Sequence, residues 1–136
     1  MRVLSAFPLL VIVVIIYNIM MLTNSLPLEQ VAFSTAMMSG ARFSLNWGDC
    51  LIVSALFLLF IEVLKAARTG TSTIIDHILS TAVFVAALVE FLMAASAGTS
   101  TFFLIVVICL VDVVAGYSIS IRAARRDFTV GSGPQI

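Results

Sequence analysis

The chain has 136 residues, of which 62% are hydrophobic and only 10% charged, and its mean hydropathy is +1.21. A soluble domain carries about a quarter charged residues; so little polar surface cannot cover so much apolar surface, and the solvent is read as a bilayer. Seven basic and seven acidic residues cancel, which excludes the basic field of a nucleic-acid-binding protein.

An apolar run of about 18 residues or more marks a membrane-spanning helix, and four such runs follow one another. The first extends from about Leu4 to Leu22. It reads as a span rather than a secretory signal, because Tyr17-Asn18-Ile19-Met20 offers no small-residue cleavage site.

A long connection, residues 23–47, comes next. Within it Leu28, Val31, Thr35 and Met38 follow helical spacing, and Pro27 suits a helix start. The expectation is a short interfacial helix capping the bundle, with an irregular loop as the competing reading. Phe43, Leu45 and Trp47 then alternate with polar residues, and Trp47 belongs at the headgroup level.

The second span, about Gly48 to Ala66, carries Glu62 and Lys65, a pair at i,i+3 spacing that can meet on one helix. The third, about Thr73 to Ala95, carries Asp76, His77 and Glu90; the fourth, about Ser100 to Ile121, carries Asp112 near its middle. Residues 122–136 form a tail whose end, FTVGSGPQI, is expected to be flexible. Tight connections between spans two, three and four make neighbouring helices antiparallel. The fold class is therefore an all-α integral membrane protein, a single four-helix antiparallel bundle over residues 1–136.

Arg2, Lys65, Arg68, Arg122, Arg125 and Arg126 fall on one side of this arrangement and only Arg42 on the other. The positive-inside rule then sets both termini in the cytoplasm, in a bacterial inner membrane. Depth follows from position along each helix. Glu62, Lys65, Asp76 and His77 share one level near the inner surface, with Arg68 in reach of Asp76 across the turn. Asp49 and Glu90 form an outer belt, with Arg42 as their cation. Asp112 is left alone at mid-depth, where a carboxylate costs about 3 kcal/mol; it needs a proton or a polar partner such as Asn18, Ser54, Thr81 or a group on another chain.

Successive residues of a helix turn by about 100°, which collects Asp76, Ser80, Ala87, Glu90 and Ala94 into one stripe on span three. Gly116 lies on the same side of span four as Asp112. Small residues allow helix backbones to approach closely in lipid, so Ser80, Ala87, Ala94 and Gly116 read as a packing stripe facing protein.

Enzyme signatures are missing. No nucleophile has a histidine at a spacing that would activate it, Asp76 and His77 are adjacent and diverge, which makes a poor joint metal site, and no glycine-rich phosphate loop occurs. Cys50 and Cys109 lack a CxxC spacing and read as small buried hydrophobes. The candidate functional residues are the intramembrane polar groups Asp112, Glu90, Asp76, His77 and Glu62. No cofactor is expected; the span phenylalanines, Phe57, Phe60, Phe84, Phe102 and Phe103, read as packing against lipid or neighbours, with lipid, quinone or pigment contact left open. The functional expectation is an accessory, scaffolding or self-assembling subunit, with membrane lipids, further copies or other membrane subunits as partners and no nucleic acid. The alternative is a small oligomeric proton-coupled transporter or channel that uses Asp112 and Glu90.

Overall fold

Hydrocarbon offers no water to a peptide group, so an apolar segment satisfies its backbone best by closing it into a helix. The computed structural model describes residues 7–25, 27–67 and 71–131. It contains α1 (Leu10–Thr23), β1 (Val31–Ala36), β2 (Arg42–Asn46), α2 (Trp47–Ala66), α3 (Thr71–Met93), a 3-10 turn (Ala95–Ala97) and α4 (Ser100–Gly131). Arg2, Arg68 and the last five residues, which entered the reading of orientation, pairing and tail, lie outside the described residues.

Among the described residues three helices are long and apolar enough to cross a membrane: α2, α3 from Thr73, and α4 as far as Arg122. The first apolar run gives a shorter helix. α1 has 14 residues, about 21 Å of helix against a hydrocarbon core of about 30 Å. It ends where Asn24 turns into the left-handed region at φ 50°.

The core gathers around α4, which packs along both α2 and α3, while α1 leans on all three. From α1, Leu10, Val13, Tyr17 and Met20 point inward at three- and four-residue spacing. They meet Phe102, Ile105 and Cys109 of α4, Leu51 and Ala55 of α2, and Ala87 of α3. The opposite faces carry large exposed apolar side chains such as Phe57, Phe60, Ile74 and Leu92, as surfaces turned to lipid do.

The connection between α1 and α2 corrects the expectation of an interfacial helix. It is an antiparallel hairpin in which Phe33 pairs with Leu45, Ser34 with Ser44, Thr35 with Phe43 and Ala36 with Arg42. The period of two in Phe43, Leu45 and Trp47 extends backwards to Val31, Phe33 and Thr35, β-branched and aromatic residues suited to a strand. Gly40 closes the turn at φ +87°, with its N–H donating to Met37 O at 2.9 Å and Met37 N–H donating to Ala41 O at 2.8 Å. The hairpin is tied to α2 at its base, where Trp47 N–H donates to Gln30 O and Gly48 N–H to Leu28 O.

At the far end α4 runs past Ile121 to Gly131. Arginine and alanine are good helix formers, so Arg122 to Arg126 carry the helix beyond its apolar run. The part of the tail expected to be flexible is helical to Gly131.

Candidate functional site: a buried polar cluster at the end opposite the hairpin

The last turn of α2 and the first turns of α3 bring three ionisable side chains together. Lys65 Nζ lies 3.1 Å from Glu62 Oε1 and 3.2 Å from Asp76 Oδ1. Glu62 and Asp76 are each 2% exposed. The expected Glu62–Lys65 pair thus forms and gains Asp76.

The start of α1 completes this group. Its N-cap, Leu9, supplies no side-chain cap, although helix starts leave amides in need of acceptors. Glu62 Oε1 accepts the Leu9 N–H at 2.7 Å, a carboxylate from α2 capping α1 where a helix start favours negative charge. Lys65 Nζ in turn donates to Phe7 O at 2.7 Å. Lys65 therefore joins the start of α1 to α2 and α3.

A second string of contacts runs beside the first. Ser120 of α4 donates its hydroxyl to Ala66 O at 2.9 Å, and His77 Nε2 contacts the same hydroxyl oxygen. With the hydroxyl's one hydrogen given to Ala66 O, Nε2 of His77 is the donor to Ser120 Oγ. The His77 ring also stacks at a tilt on Tyr117, with centroids 5.1 Å apart, and it faces Gly116. Thr81 Oγ1 donates to His77 O at 2.8 Å and lies 3.2 Å from the Tyr117 hydroxyl.

Asp112 is 6% exposed on α4. The partners expected for it are engaged elsewhere: Asn18 donates to Val14 O, Ser54 to Cys50 O and Thr81 to His77 O. Its polar neighbour is Ser80 of α3, and it also lies within electrostatic reach of Glu62, Asp76 and Lys65. Asp112 thus heads the cluster instead of standing alone. Ser80 Oγ is buried, and no hydrogen bond of good geometry reaches it among the described residues.

The outer belt does not form as expected. Asp49 joins a capping box with Asn46, accepting from Asn46 N–H at 3.1 Å while Asn46 Oδ1 accepts from Asp49 N–H at 2.7 Å. Arg42 stands exposed on β2. Glu90 is half-buried on α3 and close enough to Tyr17 to act on it electrostatically. The Tyr17 hydroxyl, however, donates to Ser96 O at 2.8 Å and lies 2.7 Å from Thr99 Oγ1.

Of the packing stripe, Ser80, Ala87 and Gly116 are buried and Ala94 is half-buried; the stripe faces protein within this chain. Sequence reasoning placed Ser120 on the Asp112 side of span four without its partners, and missed Tyr17 and the backbone of Phe7 and Leu9. Tyr17 carried a signal, since a buried tyrosine needs a partner for its hydroxyl.

Among the described residues no group of three or more histidine, cysteine, aspartate or glutamate side chains is arranged to hold a metal ion. The cluster ties helices together by charge and hydrogen bonds, with Ser80 Oγ as its unsatisfied member. No protein-family model, curated protein or solved structure matches the chain.

Proposed function

We propose that this chain is a non-catalytic, four-span protein of a bacterial inner membrane with both termini in the cytoplasm, acting as an accessory or self-assembling subunit of a membrane complex. In this reading α1 is part of the fourth span. The observation that carries it is the internal satisfaction of Glu62, Lys65 and Asp76, which bond one another and the start of α1. Buried charges arranged in this way fix the geometry of the helices that carry them. The apolar outer faces support association with lipid or other helices. Native mass spectrometry in mild detergent tests the proposal: the chain is expected as an oligomer or with a co-purifying subunit. A lone monomer with no stable partner would overturn it.

One observation favours the second reading, a proton-coupled carrier. Asp112 and Ser80 are buried neighbours outside the bonded triad, and Ser80 Oγ has no hydrogen bond of good geometry among the described residues. In liposomes, Asp112→Asn is expected to abolish proton-linked flux under this reading; a flux equal to that of the unsubstituted chain would remove it.

A further inference from the structure

Between α1 and α3 lies an open groove of about 370 Å³, lined by Val11 and Val14 on one side and by Ala82, Ala86 and Ala87 on the other, with Glu90 at its hairpin end. Ligand sites of this kind are mostly apolar, with a few polar groups that fix orientation, and here the carboxylate of Glu90 is that group. Among the described residues it has no ion pair or hydrogen bond, and the nearby Tyr17 hydroxyl is engaged by Ser96 and Thr99. The described cations stand elsewhere: Lys65 in the buried cluster, Arg42 on the exposed hairpin, and Arg122 and Arg125 on the far end of α4.

The geometry of the groove matches one class of occupant. Glu90 lies three residues from the end of α3 at Met93, about one helical turn, which sets it at headgroup level if α3 spans the bilayer. From Glu90 the lining runs inward to Leu79, about 16 Å along the helix, past alanines that leave room for a hydrocarbon chain. We propose that the groove binds one acyl chain of a phospholipid with a primary-amine headgroup, its ammonium hydrogen-bonded to Glu90. A trimethylated amine has the charge but no N–H to donate, and an anionic headgroup meets the carboxylate with like charge. The site does not depend on the assembly role proposed above.

Native mass spectrometry of the full chain tests this, with phosphatidylethanolamine, phosphatidylcholine and phosphatidylglycerol of identical acyl chains supplied in equal amounts. The unsubstituted chain is expected to retain the ethanolamine lipid about tenfold over the choline lipid, the weight of one hydrogen bond to a charged group. Glu90→Gln should bring the lipids close to parity. Ala86→Phe, at an exposed position, should lower retention of all three without disturbing the core. Equal retention of the lipids by the unsubstituted chain, or a preference surviving Glu90→Gln, would overturn the proposal. So would an Ala86→Phe variant that loses dimers while lipid retention stays the same, which would assign the groove to a second copy.

Discussion

The His77 ring occupies the space that a side chain at Gly116 would need: a β-carbon there would lie 3.1 Å from Cε1 and 3.3 Å from Nδ1 of the imidazole. The ring cannot easily retreat, because Nε2 is held by Ser120 and its face by Tyr117. Glycine at this position is what lets α3 and α4 approach with a histidine between them.

Substitution at Gly116 should therefore follow size. Gly116→Ala gains about 1 kcal/mol of helix propensity and spends it on the tight contact, leaving stability nearly unchanged. Gly116→Val should destabilise by about 1–3 kcal/mol, the usual range for overpacking. Thermal unfolding in detergent measures both. In a His77→Ala background the valine should cost less, a coupling of about 1 kcal/mol; equal cost in both backgrounds would show that the ring is not the obstacle.

Removing Lys65 strands two carboxylates. Lys65→Met leaves Glu62 and Asp76 buried without their shared cation, and Phe7 O without a donor. Breaking a buried ion pair costs about 3–5 kcal/mol, much of it from the uncompensated charge. Combining Lys65→Met with Glu62→Gln and Asp76→Asn should recover most of that loss in the same unfolding assay.

Tyr17→Phe separates packing from hydrogen bonding. The tilted stack on Phe102, with centroids 4.7 Å apart, survives, while the bonds to Ser96 and Thr99 are lost. A loss of about 1 kcal/mol is expected. Hydrogen exchange should quicken in the connection between α3 and α4 while the start of α2 stays protected.

Asn46→Ala removes one half of the capping box with Asp49. Loss of a helix cap costs about 1 kcal/mol. The first turn of α2 should exchange its amides faster, and the bonds joining Trp47 and Gly48 to the hairpin should report the same loosening.

The parts of the fold that depend on a single helix were open to sequence reasoning. Long apolar runs mark α2, α3 and α4 within a few residues at most ends, and the Glu62–Lys65 spacing identifies its own pair. What depends on how helices rotate against one another was not open. Asp76 meets Lys65 because α3 turns it toward α2, and Asp112 meets Ser80 because α4 presents it toward α3, relations that one-dimensional depth cannot supply. The hairpin was misread for a different reason: Leu28, Val31, Thr35 and Met38 fit a helical period by coincidence, while the alternation on both sides of Gly40 belonged to paired strands. The end of α4 was set too early because apolar length marks where lipid stops and not where a helix stops.

The start of α1 is closed by residues made much later. Leu9 and Glu62 are 53 positions apart, and Phe7 and Lys65 are 58 apart. As the chain leaves the ribosome, α1 emerges with its first turn unfinished and waits for α2 to supply both contacts. Asp76, which steadies Lys65, arrives later still with α3. The first of the four helices in chain order is thus among the last to be locked in place.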